Sequence, residues 1–158
     1  MAAALALLLA ANISTACALE LLDSPGGAPL ARVPLPADRG FALRYTHSVT
    51  LRPVESRYVV RANLIVQTAE VFDEHGPGMA TDAGPGERLQ TQRGTEGTRF
   101  VLSTERPLPR LVVRLHSLPA FRLLVDDAPI DLAQWGSRAV EIRADCPAPA
   151  EAGRKAAP

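Results

Sequence analysis

The sequence predicts an all-β fold, a single antiparallel β-sandwich or small open barrel of about seven or eight short strands. Three observations predict it. Apolar and polar residues alternate with period two in several short runs, the pattern of strands with one buried face. The 11 glycines and 14 prolines, about one residue in six, break the chain too often for long helices. A length of 158 residues fits one domain with one core.

Residues 1–18 read as a signal peptide or membrane anchor. AAALALLLAA at residues 2–11 is apolar, and no charge precedes Glu20. Ten residues span about 15 Å as a helix, half of a bilayer core of about 30 Å, which is the size of a signal-peptide apolar region. Ala16-Cys17-Ala18 satisfies the small-x-small rule for cleavage before Leu19. Three alternatives stand beside this one: an uncleaved anchor over residues 2–19, an internal segment, and a lipidated cysteine, because Ser14-Thr15-Ala16-Cys17 resembles a lipobox without its leucine. Cleavage before Leu19 would leave Cys146 as a lone thiol. The expected location is periplasmic or secreted, with inner-membrane anchoring as the variant.

Residues 19–146 form the expected β-rich domain, and Pro147–Pro158, Ala/Pro-rich with mixed charge, an expected disordered tail. Ala18–Leu22 is a short apolar strand candidate, Ser24–Gly27 a turn, and Pro29–Leu35 an edge strand between prolines. Phe41–His47 alternates, and Val54–Val66 alternates at even positions. Leu64, Thr68 and Phe72 also fit helical spacing, but strand continuity over Leu64–Phe72 is the expectation. Gly76–Gly97, glycine-rich and nearly devoid of apolar residues, reads as a long loop. Arg99–Ser103, Leu111–Leu115, Phe121–Val125 and Ala139–Arg143 are further strand candidates, with one helical turn over Asp131–Trp135 capped by Asp131.

The segment Phe41–Val66 carries the distinctive residues. With Leu51-Arg52 at a hairpin tip, Val49 opposes Val54, His47 opposes Ser56, Tyr45 opposes Tyr58 and Leu43 opposes Val60. On the other face Ser48 opposes Glu55 and Thr46 opposes Arg57. His47, Ser48 and Glu55 spell a Ser-His-acid set, yet this register puts His47 on the apolar face and the other two on the polar face. No G-x-S-x-G elbow is present to expose a nucleophile. His47 is therefore expected either as a half-buried imidazole satisfied by a carbonyl or by Ser56, or as a binding group walled by Tyr45 and Tyr58. Gly76-Pro77-Gly78 reads as a tight turn, or as a place where backbone approaches a ligand or partner.

Several chemistries are excluded or disfavoured. Equal numbers of cationic and anionic residues (17 each) give no net charge to neutralise phosphates, so no nucleic-acid partner is expected. His47, His75 and His116 lie far apart without ligand spacing, and two cysteines cannot make a four-thiolate zinc site, so no metal is expected. No phosphate-cradling glycine motif occurs and no cofactor is expected. Lysine occurs only at Lys155 and asparagine only at Asn12 and Asn63, a composition associated with GC-rich bacterial genomes.

Tyr45-Thr46-His47-Ser48-Val49, then Pro53-Val54-Glu55, then Gly76-x-Gly78 after a strand ending at Phe72, resembles the bacterial domain of unknown function 1850 family. The likeness covers about Phe41 to Met79 and departs from the family pattern at Met79-Ala80. The resemblance implies an exported β-rich protein without an established activity, associated with TRAP-type solute transporters of the TAXI subclass. It implies that His47, Ser48, Glu55, Gly76 and Gly78 matter, and does not assign catalysis. The reading is an accessory or binding module with Tyr45, His47, Ser48, Glu55, Tyr58, Gly76 and Gly78 as binding-site candidates and no catalytic set assigned. Expected partners are a TRAP/TAXI transporter subunit or its solute-binding protein, or a small-molecule ligand. The alternatives are a hydrolase-like enzyme using His47 with Glu55 or Ser48, and a structural envelope protein.

Overall fold

In the computed structural model, the described residues are 16–95, 97–115 and 121–147. Most of the expected leader and nearly all of the expected tail lie outside them. Two antiparallel sheets face each other. The smaller has the order β2-β1-β11-β8 and the larger β10-β9-β3-β4-β5-β7-β6. The strands are β1 (Ala18–Asp23), β2 (Pro29–Pro34), β3 (Gly40–Thr46), β4 (Pro53–Arg61), β5 (Leu64–Phe72), β6 (Arg88–Gly94), β7 (Gly97–Leu108), β8 (Leu111–Arg114), β9 (Arg122–Val125), β10 (Ala128–Asp131) and β11 (Ala139–Asp145). A single 3-10 turn, Leu132–Trp135, is capped by the Asp131 side chain accepting from the Ala133 N–H at 2.9 Å.

Alternation explains the core. Leu19, Leu21, Val140 and Ile142 of the small sheet meet Phe41, Leu43, Tyr58, Val60, Ile65 and Leu123 of the large one. Leu19, Leu21, Leu123, Leu132 and Val140 are sealed from solvent, so one core closes between two sheets. The all-β sandwich is thus the fold, and Leu64–Phe72 is a strand rather than a helix.

Three expectations are corrected. First, Val54–Val66 is interrupted: Ala62 and Asn63, at φ 48° and 64°, form a two-residue turn between β4 and β5. Two consecutive left-handed residues match the twist of a hairpin. Alternation changes phase there, so Ile65 is buried and Leu64 exposed. Second, Gly76–Gly97 is not all loop. The polar run Arg88–Gly94 pairs along β7 from Arg88↔Ser103 to Gly94↔Gly97. It is an edge strand exposed on most of its length, which is why it carries no alternation. β10, another short and mostly exposed arm, also carries no clear alternation, and the described residues hold eleven strands. Third, the β3–β4 register differs. Tyr45 faces Val54, Leu43 faces Ser56 and Phe41 faces Tyr58, a slide of four residues. An even slide keeps the paired residues of β3 and β4 on their expected faces, but Val49, expected opposite Val54 on the apolar face, is exposed instead. The slide replaces the two-residue tip by a six-residue loop, 47–52, and lifts His47 and Ser48 off the strand.

Cys17 and Cys146 are disulfide-bonded and both buried. Cys146 is therefore not a lone thiol in this fold. The Leu35 N–H donates to the Cys17 carbonyl at 2.8 Å. Asn63 accepts from the Cys146 N–H and donates to its carbonyl.

Candidate functional site

His47 ends β3 and organises the loop after it. Its N–H donates to the Arg52 carbonyl (2.8 Å) and its carbonyl accepts from the Leu51 N–H (2.9 Å). Nδ1 lies 3.3 Å from the Val49 N–H and 3.2 Å from the Thr50 N–H, so it is the acceptor. The proton therefore resides on Nε2, which donates to the Pro77 carbonyl at 3.1 Å. One imidazole thus ties the 47–52 loop to the Gly76–Met79 turn.

The sequence Gly76-Pro77-Gly78-Met79 builds the other half. The Met79 N–H donates to the Gly76 carbonyl at 2.9 Å, and Gly78 has φ 85°. A positive-φ glycine at the third position is what a type II turn requires, and proline at the second position favours it. The Pro77 carbonyl takes no part in closing that turn and meets Nε2 of His47. Gly76 has no room for a side chain. A Cβ there would sit 2.7 Å from Thr50 Cγ2 and 2.9 Å from His47 Cε1. The two motifs, 30 residues apart, are halves of one junction. Arg52 fastens it further through a bidentate pair with Asp73, at 3.2 and 2.7 Å.

Glu55 belongs elsewhere. It lies on the outer face of the large sheet, where Arg44 Nη2 reaches Oε2 at 2.6 Å and Arg57 Nε reaches Oε1 at 2.8 Å. Burial alone would raise its pKa, and the two guanidinium hydrogen bonds reverse that, leaving it below the usual carboxylate range. Around it a groove of about 480 Å³ is lined by Arg44, Glu55, Arg57, Val71, Asp73 and Arg99.

The tyrosines face the interior. Tyr45 stacks on Phe121 with centroids 5.1 Å apart, and Tyr58 stacks on Phe41 at 5.0 Å. Burial, with the nearby Glu70 charge second, pushes the Tyr45 phenol up to about 12. Glu70 stands opposite Ser56, whose hydroxyl is 3.5 Å from Oε1, and burial raises the Glu70 pKa. This polar row of Tyr45, Ser56, Tyr58 and Glu70 was expected only in part, because Glu70 sits in a run that reads simply as strand.

The candidate residues therefore divide into three places. His47, Gly76 and Gly78 form the junction, with Ser48 exposed on its loop. Tyr45 and Tyr58 line the interior, and Glu55 the outer face. Both His47 nitrogens and both Glu55 oxygens have other partners, and among the described residues no hydrogen bond joins the His47, Ser48 and Glu55 side chains to one another. Among the described residues, no group of three His, Cys, Asp or Glu side chains is placed to hold a metal ion.

Sequence reasoning missed Thr50, Leu51, Arg52 and Asp73 as parts of the junction. The one available signal was two apolar residues, Val49 and Leu51, within an otherwise polar loop. Comparisons with curated proteins and with solved structures return no match. A family profile matches residues 41–132, more than half of the chain and spanning every candidate residue. The chain belongs to the family described as a domain of unknown function (DUF1850).

Proposed function

We propose that the chain is an exported accessory module that acts by binding, in association with TRAP-type solute transport of the TAXI subclass. The observation that supports binding is the His47 junction. Its imidazole holds two loops in fixed relation, which is a positioning task, and it presents the 47–52 loop at one end of the sandwich. Rigid scaffolds that carry a shaped loop are the usual architecture of recognition. Export is supported by the apolar N-terminal run and by the Cys17–Cys146 pair, since disulfides persist in oxidising compartments. The transporter association rests on the family resemblance.

The test uses the tagged full-length chain, expressed in a bacterium that encodes it and crosslinked in intact cells before envelope isolation. Enrichment of a TRAP subunit or its solute-binding protein over an untagged control is the expected result. Recovery of the folded chain from the periplasm without any transporter component overturns the association.

A further inference from the structure

Among the described residues, the exposed large apolar side chains are Val49 (65% exposed), Leu51 (67%) and Leu64 (39%). The first two share the tip of the 47–52 loop. An isolated exposed apolar residue needs no explanation, but this pair is held out by dedicated structure. The Val49 and Thr50 N–H groups are fixed on His47 Nδ1, and the Leu51 N–H is fixed on the His47 carbonyl. Thr50 Oγ1 accepts from the Arg52 N–H. Leu51 has φ 56°, a left-handed conformation that an L side chain adopts at a cost and that glycine would adopt freely. A leucine kept there at 67% exposure buries little apolar surface within this chain.

We propose that Val49 and Leu51 are a preformed docking knob that inserts into an apolar cleft on a partner protein. The proposal rests on the binding reading above and names the surface that binding uses. Two observations select a protein over a lipid surface. The tip residues Ser48–Leu51 are uncharged, and the adjacent Arg52 is offset by Asp73 and Glu74. Insertion into anionic membranes uses a collar of uncompensated cations. Direction is the second. β4 runs from this loop to the Ala62-Asn63 turn, about 30 Å at the usual strand rise. That far turn is where Asn63 binds Cys146 and Cys146 binds Cys17. The apolar N-terminal run therefore joins the domain at the end opposite the knob. A chain tethered by that run would aim the knob away from the membrane. Pre-organisation by His47 removes most of the ordering entropy that a free loop would lose on docking.

The experiment places the photo-crosslinking residue p-benzoylphenylalanine at Val49, at Leu51 and, as control, at Leu64 in the full chain in its native bacterium. Adducts are identified by mass spectrometry, and binding of the purified partner is then measured by calorimetry. The expected result is one and the same protein captured from Val49 and Leu51 but not from Leu64. Its Kd should weaken at least tenfold for Val49→Ser with Leu51→Ser and stay unchanged for Leu64→Ser. Circular dichroism and urea midpoints verify that each variant folds. Leu51→Gly supplies a second variant, which adopts the same positive φ without strain and lacks the side chain, and it should weaken binding as well. Phospholipid adducts, adducts equal to the control, no adduct, or a partner whose affinity ignores these substitutions would each overturn the proposal. A transporter component that co-isolates with the chain regardless of Val49 and Leu51 refutes the knob alone. A single partner unrelated to transport refutes the transporter association alone.

Discussion

Gly76 shows how one missing atom constrains two segments. A methyl group there would overlap Thr50 Cγ2 and His47 Cε1. Gly76→Ala should destabilise the domain by about 1–3 kcal/mol, the usual range for overpacking, read as a lower urea midpoint. Thr50→Ser removes Cγ2 and keeps the hydroxyl that accepts from the Arg52 N–H. The double variant should therefore recover part of the loss, with the His47 contact accounting for the remainder. Equal loss in single and double variants would mean that the clash is not the cause. Two glutamates make opposite predictions at the same scale. Glu141 is clamped by Arg110 at 2.7 Å and Arg143 at 2.8 Å, and those hydrogen bonds depress its pKa from 4.5 to about 2. Its contribution is present above 4.5 and is lost as pH falls through about 2, so Glu141→Gln should flatten the acid limb in that window. Glu70 is raised by burial, so the folded state holds its proton better than the unfolded chain does. Its contribution is present at acid pH and lost as pH rises through the raised value. Glu70→Gln should be neutral or stabilising at neutral pH and should remove that loss. Urea midpoints measured across pH separate the two.

At the scale of elements, the 47–52 loop sets aside intrinsic stability for shape. Replacing a left-handed leucine by glycine relieves steric strain and adds unfolded-chain entropy, two effects of about 1 kcal/mol each. Leu51→Gly should leave the urea midpoint unchanged or slightly higher. Leu51→Ile, whose β-branch is worse in that conformation, should lower it clearly; equal midpoints would contradict the strain. The same loop explains what the sequence could and could not reveal. The faces of β3 and β4 were legible because alternation reports which side a residue takes. Their register was not, because it depends on loop length, and loop length here is set by a histidine side chain accepting backbone N–H groups. No pattern of apolar residues encodes that bond. Likewise, the helical turn at Asp131 was legible from its cap, whereas β6 was not, since an edge strand wet on both faces has no alternation to read. Of the candidate site, His47, Gly76 and Gly78 were recognisable as motif residues. That they touch one another became visible only through the turn that points the Pro77 carbonyl at His47.

For the whole molecule, the two ends of the described chain meet in one clasp. Cys17 bonds Cys146, Asn63 brackets the Cys146 backbone, and Leu35 donates to Cys17. The linkage spans 129 residues, so it restrains nearly the entire unfolded domain. Replacing both cysteines by serine should cost about 2–5 kcal/mol, measured as the loss in urea midpoint relative to the oxidised protein. A leader cut before Leu19 would remove this clasp together with Ala18, which pairs with both Pro34 and Asp145. Lipidation of Cys17 would remove it too, because a thioether sulfur cannot also form a disulfide. The mature chain should therefore start at or upstream of Cys17, and its intact mass should be two hydrogens lighter than the reduced polypeptide, with no added acyl mass. Terminal sequencing and intact-mass measurement of protein isolated from the cell envelope decide this directly. A start at Leu19, or a diacylglycerol on Cys17, would mean that the domain matures without the covalent tie that closes it in this fold.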